Sequence, residues 1–254
     1  MATDNWIAAN WPAPERIRAG TTTREGGVST EPYDSFNLAA HVGDDLGHVD
    51  SNRSMLMRQL TLPTTPLWLK QEHGNSVIHA PGAATAGTCA DACYTSVTGV
   101  VCVVLTADCI PLLMCNRAGT LVAALHAGWR GICRGIIGNC VAQLNEHPDQ
   151  LLAWVGPCIC AAHYPVREDM RNACLQALGT AAGIAFTPAP QGGWFADIEK
   201  LAIMELKRLG MSAIYSSSHC TYAESDRFYS YRRDGRTGRM ASLIWIADQA
   251  RKQT

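Results

Sequence analysis

The chain has 254 residues, of which 47% are hydrophobic and 17% charged, and its formal net charge is −1. A chain of this length buries a substantial core, as one large domain or two small ones. The near-neutral balance supplies no long-range field drawing the molecule to nucleic acid or to an anionic membrane.

Met1 to Pro14 shows no basic start leading into an apolar stretch, so no secretory leader is expected and the expected compartment is cytoplasmic. Arg16 to Thr23 predicts an edge strand, followed by a long loop from Arg24 to Asp50 rich in Gly, Ser and Asp. Pro66 to Lys70 reads as a short strand ending at Gln71-Glu72-His73-Gly74. Val100 to Leu105 is a continuous apolar run, the pattern of a strand buried on both faces, and it ends at Thr106-Ala107-Asp108-Cys109. Leu121 to Leu125 repeats the pattern and ends at His126-Ala127-Gly128-Trp129. The spacing of Ile132, Ile136, Ile137, Cys140, Val141 and Leu144 predicts a helix. Leu151 to Val155 predicts a strand stopped by Gly156-Pro157. Asp197 is placed to cap a helix running to Leu209, with Gly210 ending it. Ala213 to Ser216, Phe228 to Tyr231 and Ala241 to Ile246 complete the strands. Strands follow one another without helices in several places, which excludes an all-parallel sheet and gives a mixed α/β protein. Absence of repeats, low-complexity tracts and linkers points to a single domain over 1–254. No uninterrupted apolar run reaches the roughly 20 residues that cross a bilayer.

The eleven Cys include no CxxC pair, which disfavours zinc ribbons and thioredoxin-like redox sites. In a reducing compartment most act as small hydrophobes, and Cys158 and Cys160 lie too close together for a metal knuckle. Cys109 differs by its neighbourhood. His73, Cys109 and His126 each sit where an apolar strand ends, and strand ends are where polar groups converge on a site. Two imidazoles and a thiolate suit Zn2+, with a fourth position left open for water or substrate. Glu72 and Asp108, each adjacent to a proposed ligand, are placed to orient imidazoles or move protons. The same thiolate beside the same imidazoles also serves nucleophilic attack, as in a Cys–His amide or peptide hydrolase acting on a cell-wall precursor. HxH, HExxH, the nucleobase-deaminase signature, GxGxxG and the Walker A loop are all absent. Arg outnumbers Lys, and five Arg fall between Arg227 and Arg239; a guanidinium grips phosphate or carboxylate at two points, and composition alone favours the alternative of a solvated surface loop.

Several segments occur in one order along nearly the whole chain. They are Thr22-Thr23-Arg24-Glu25-Gly26-Gly27-Val28-Ser29, His41-Val42-Gly43-Asp44, Thr106-Ala107-Asp108-Cys109 and His126-Ala127-Gly128-Trp129-Arg130-Gly131. Gly156-Pro157, Cys220-Thr221, Phe228-Tyr229-Ser230-Tyr231-Arg232-Arg233 and Thr237-Gly238-Arg239 follow. Together they resemble the YfiH, or laccase-domain, family. The resemblance implies an α+β fold, a single domain of mixed β-sheets sandwiched between helices in a four-layer α/β/β/α arrangement. It also implies zinc on His73, Cys109 and His126, with copper as the alternative metal. The implied activity is phosphorolysis of adenosine, inosine and methylthioadenosine, with adenosine deamination alongside, so the partners are a purine nucleoside and phosphate. Older naming in this family implies a copper-dependent polyphenol oxidase instead, although only eight His are spread along the chain. Arg24, Arg232, Arg233 and Arg239 are the candidate phosphate clamps, and Gly26-Gly27 after Arg24 would let the backbone turn with positive φ and form an anion-binding concavity. One departure is local. The segment after Gly156-Pro157 reads Cys158-Ile159-Cys160-Ala161-Ala162-His163-Tyr164, where the family often has a second Gly and an acidic residue after the Tyr.

Overall fold

The computed structural model describes residues 5–80 and 86–248. The chain opens with β1 (Trp6–Ala8) and β2 (Ile17–Thr22) and makes a long excursion to α1 (Leu46–Gln59). Then β3 (Val77–His79), β4 (Ala92–Thr95), β5 (Val101–Thr106), β6 (Ile110–Asn116) and β7 (Val122–Ala127) succeed one another. The helices α2 (Trp129–Cys133) and α3 (Ile136–Leu144) lead to β8 (Leu151–Val155), β9 (Pro165–Val166) and α4 (Glu168–Leu178). The remainder holds β10 (Phe186–Pro188), β11 (Trp194–Ala196), α5 (Ile198–Arg208), β12 (Ala213–Ser216), α6 (Tyr231–Asp234) and β13 (Met240–Ile246).

One sheet, in the order β1-β2-β13-β5, is antiparallel throughout. The larger sheet, β12-β8-β6-β7-β4-β3, is antiparallel at its centre and parallel at both ends, where β12 pairs with β8 and β3 with β4. A small third sheet has the order β10-β11-β9. The period-2 alternation of side chains decides which core each residue enters. In β5, Cys102 and Val104 point between the two large sheets with Leu113, Val122 and Trp154. The alternate residues Val101, Val103 and Leu105 pack with Leu56 of α1 and with Trp68. In β6, Leu112 and Met114 meet the far side, where α2, α3, α4 and α5 contribute Ile132, Ile137, Met170 and Leu201. Both large sheets are covered on both faces, so their strands read as unbroken apolar runs. The result is a single domain of mixed sheets with helices outside, and its cores are consistent with the α/β/β/α layering.

Several local expectations change. β2 is not an edge, because β1 pairs with it at residues 6–8 and β13 covers its other side. The segment Arg24 to Asp50 ends in helix: Asp45 caps α1, its side chain accepting from Gly47 N (2.7 Å) and His48 N (3.2 Å). That helix buries only Val49, Asn52 and Leu56, too narrow a stripe to announce itself by periodicity. Pro66 to Lys70 makes only isolated bridges, Leu67 to Cys102 and Lys70 to Cys89. The helix expected over 132–144 is broken at Gly135, whose φ of +84° is a left-handed conformation that separates α2 from α3. Phe228 and Tyr229 are fully buried but lie outside any strand, and Tyr231 begins α6. Asp197 and Gly210 bound α5 as expected. No described helix is long and apolar enough to cross a membrane.

The loop before α1 is organised by one buried amide. Asn52 Oδ1 accepts from Val28 N at 2.9 Å, while Nδ2 donates to Ser29 Oγ, Ser35 O and Asn37 O at 2.9–3.1 Å. Gly27 has to be Gly here, since a Cβ would lie 2.2 Å from Ser35 O and 2.6 Å from Asn52 Oδ1. Asn52→Ala strands these donors and acceptors in an apolar setting, at about 1–3 kcal/mol per unsatisfied group. Urea unfolding of that variant is expected to show a loss of about 3 kcal/mol; a change below about 0.5 kcal/mol contradicts the network.

Candidate functional site

The structure brings His73, Cys109 and His126 together. Their donor atoms all lie within 4.8 Å of one another. Cys109 sits at the corner where the chain leaves β5 in one sheet and enters β6 in the other. His126 is the penultimate residue of β7, paired with Pro111 of β6. His73 occupies the turn before β3, with its Nε2 3.9 Å from Cys109 Sγ. The two rings meet edge to face, 4.7 Å between centroids. His126 is 4% exposed, Cys109 half-buried and His73 exposed, so the group opens to one side.

Asp91, 1% exposed and immediately before β4, holds both histidines. A carboxylate only accepts, so His126 Nδ1–H donates to Asp91 Oδ1 (2.8 Å) and turns Nε2 toward the other donors. The same oxygen accepts from His73 N (2.9 Å), and Oδ2 accepts from Gly74 N (2.7 Å) and Glu72 N (3.2 Å). This clasp keeps His73 at φ +56°, a left-handed conformation that a side chain rarely adopts. Burial works against the Asp91 charge, yet the hydrogen bonds from His126 and Gly74 hold the carboxyl below its usual range.

Burial also opposes ionisation of the Cys109 thiol, but the charge and hydrogen bond of His126, helped by His73, pull it down to about 6. Burial disfavours the His126 cation, and the Cys109 thiolate with Asp91 raises it to about 9. Gly128 completes the cradle: a Cβ there would stand 2.9 Å from Cys109 Sγ and 3.1 Å from His73 Cδ2. One thiolate and two imidazoles, one of them fixed by a carboxylate, form a donor set that fits a borderline or soft metal ion.

The three residues line a cavity of about 420 Å³. That volume suits a small organic ligand. Arg130, Arg232 and Arg239 line it as well, together with His41, Gln71, Trp129, Tyr164 and Tyr231. Arg232 lies over the Tyr164 ring (4.7 Å) and donates to Pro165 O (2.7 Å). Arg239 donates through one nitrogen to Thr237 O and Gly238 O, both at 2.8 Å. Burial, then the nearby Arg239 and Arg53 cations, lowers the His41 pKa and so favours the neutral imidazole.

Arg24 and Arg233 are not among the cavity residues. Arg24 donates to Asp34 O, Asp34 Oδ2 and Ser225 O, which closes its own loop. Arg233 serves Thr221 O, Tyr222 O, Phe228 O and Asp234. Asp108 orients no imidazole; it accepts from the Thr221 hydroxyl and from Arg232 N, both at 2.7 Å. Glu72 is an exposed partner of Lys70 at 2.7 Å. Sequence reasoning missed Asp91, Arg130 and His41 as site residues. Asp91 carried a faint signal, an acid flanked by Ala90 and the apolar start of β4; the other two lay inside segments already singled out.

The chain is thus a mixed α+β domain with a Cys–His–His group open at a sheet-to-sheet corner. The chain belongs to the family described as multi-copper polyphenol oxidoreductase laccase, whose model matches residues 18–247. It is 46% identical over 242 residues to the Escherichia coli protein named purine nucleoside phosphorylase YfiH, covering 94% of this chain and 98% of that one. A Pseudomonas aeruginosa protein named purine nucleoside phosphorylase is 45% identical over 244 residues, covering 96% and 99%. The crystal structure of a Neisseria meningitidis protein superposes with a TM-score of 0.92 at 43% identity, covering 96% of this chain and all of that one. YlmD from Geobacillus stearothermophilus superposes with a TM-score of 0.92 at 28% identity, covering 98% of each chain.

Metal-free protein tests the electrostatics directly. The rate of Cys109 alkylation, followed by peptide mass spectrometry, is expected to rise with a midpoint near pH 6. Asp91→Asn removes the anion that stabilises the His126 cation, so the midpoint moves upward. A wild-type midpoint at the ordinary thiol value of about 8.5 contradicts the account.

Proposed function

We propose that this chain is a zinc-dependent purine nucleoside phosphorylase acting on adenosine, inosine and methylthioadenosine, with adenosine deamination as a second activity, in the cytoplasm. One observation carries the reading: a Cys–His–His donor set and three guanidinium groups share one cavity of about 420 Å³. The names of the Escherichia coli and Pseudomonas aeruginosa relatives support it.

In phosphorolysis an oxygen of phosphate forms a bond to the anomeric carbon of the sugar. The bond from that carbon to the purine nitrogen breaks, and the base leaves with the electron pair and takes up a proton. The products are a sugar 1-phosphate and the free base. Phosphate needs a dense set of donors, which Arg239, Arg232 and Arg130 offer at the cavity wall. Arg232 is steadied by Tyr164 and Pro165, so little side-chain freedom is lost when an anion binds. Trp129, Tyr164 and Tyr231 provide aromatic surface for a flat base. His41 and the amide of Gln71 are available at the cavity wall to hydrogen-bond the sugar or the base. His73, Cys109 and His126 would hold zinc, which would supply Lewis-acid polarisation of a substrate oxygen or an acidified water. Asp91 keeps His126 in the tautomer that ligates.

The test is base release from inosine with and without phosphate. Hypoxanthine is expected only with phosphate, in step with ribose 1-phosphate. Cys109→Ala should lose both the zinc and the activity. Arg239→Ala should raise KM for phosphate by roughly tenfold or more, about 1.4 kcal/mol, while KM for inosine moves little. Base release independent of phosphate indicates a hydrolase. Turnover that survives chelation but dies on thiol alkylation favours a Cys–His nucleophile instead.

A further inference from the structure

A second group of metal-capable side chains stands outside the cavity. Cys160, His163 and Cys220 place one donor atom each within 4.8 Å of one another. His163 Nδ1 lies 3.2 Å from Cys160 Sγ and 3.7 Å from Cys220 Sγ. A tetrahedral ion with metal–sulfur bonds of about 2.3 Å and a metal–nitrogen bond of about 2.05 Å sets sulfur and nitrogen roughly 3.6 Å apart. The two observed separations bracket that value, so little movement is needed to close a coordination sphere.

The three residues are held by backbone that does not depend on a metal. Cys158 and Cys220 form a parallel bridge, with Thr221 N donating to Cys158 O at 3.0 Å. Cys160 N donates to Cys220 Sγ at 3.3 Å, which holds the two cysteines side by side. His163 N donates to Cys160 O, which fixes the short turn between them, and the His163 ring stacks on Tyr222 at 4.6 Å. Cys220 N is anchored by Glu224 Oε1 at 3.0 Å. All three residues are half-buried, which leaves a fourth position for water. A single ring nitrogen facing two sulfurs is poorly served by hydrogen bonds alone, because it has one proton or one lone pair to offer.

We propose that Cys160, His163 and Cys220 form a second site for a thiophilic cation of the zinc class, independent of the cavity site. Two thiolates and an imidazole select zinc over magnesium or calcium, which take oxygen ligands. The site ties together segments that build the cavity wall. Ile159 and Tyr164, which line the cavity, flank the Cys160–His163 turn, and Thr221 bonds to Asp108 on the cavity side. An ion there clamps the 158–164 segment to the 220–222 segment behind the wall.

The experiment is cobalt loading of the full-length chain, purified under reducing conditions and stripped of metal, followed by absorbance and metal analysis. Wild type is expected to bind about two equivalents. Cys109→Ala should retain about one, with thiolate-to-cobalt charge-transfer absorption from two sulfurs. Cys160→Ser and His163→Gln should each lose the second equivalent and keep the one that depends on Cys109. If either variant fails to fold, the Cys109→Ala protein still decides, because its remaining equivalent belongs to the second site alone. Cys109→Ala protein with no bound cobalt overturns the proposal, whatever happens at the cavity site. A Cys160–Cys220 disulfide in the reduced preparation, found by mass spectrometry, overturns it in favour of a redox pair.

Discussion

The cavity site rests on the hydrogen bonds of one buried carboxylate. Asp91 accepts from the His126 ring and from three successive backbone N–H groups, Glu72, His73 and Gly74. A carboxylate without partners in this setting would be expelled or protonated. With four donors it becomes the fixed point around which two distant pieces of chain are arranged. The same oxygen that selects the His126 tautomer holds the backbone of His73 in its left-handed turn, so neither histidine can shift without disturbing the other. The low Cys109 thiol and the raised His126 imidazole follow from this arrangement, since Asp91 supports the cation that stabilises the thiolate.

The sheets determine where that fixed point can work. β5 and β6 belong to different sheets, and the crossing between them is only Ala107-Asp108-Cys109. So short a crossing leaves Cys109 no freedom to retreat into either core. β7 lies beside β6 and brings His126 to the same level. Gly128 then lets the chain pass beside Cys109 and His73 where any side chain would collide. Three backbone paths converge, and the residue with no side chain stands where they are closest. Gln71 finishes the corner by exchanging hydrogen bonds with Leu105 on the open side of β5.

What the sequence revealed followed from periodicity and from residue types at strand ends. The buried strands were legible because covering both faces forces an unbroken apolar run, as in β5, β7, β8 and β13. The three donors drew attention because each follows closely on an apolar run, although the run before His73 makes only isolated bridges. Asp91 was not, because its role lies in backbone amides donated by a turn about twenty residues away, and no local pattern encodes those partners. The helix α1 was hidden for a related reason: it buries an Asn at its centre, where an apolar residue would have completed the stripe. The pairing of Cys160 with Cys220 was equally silent, since sixty residues separate them and only the Cys158 bridge brings them together.

Residue type alone does not tell which arginines are free to meet an anion. Arg24, Arg232, Arg233 and Arg239 all carry the same fork of donors, but in two of them the fork is already filled. Arg24 is committed to Asp34 and Ser225, and Arg233 to three carbonyls and Asp234. An arginine so engaged would have to break existing bonds to receive an anion, and the turn it secures would open. Arg239 and Arg232 bond to carbonyls and still face the cavity. A similar distinction separates the histidines. His147 pairs with Asp149, His219 with Glu224, and His79 packs on Tyr94. Among the described residues, His73 and His126 are the one pair of histidines whose rings meet each other, and His41 joins them at the cavity wall. Oxygen reduction at a multicopper cluster requires many imidazoles gathered in one place. In this fold the imidazoles are dispersed to separate duties, and Arg130, Arg232 and Arg239 collect beside the thiolate–imidazole group that borders the cavity.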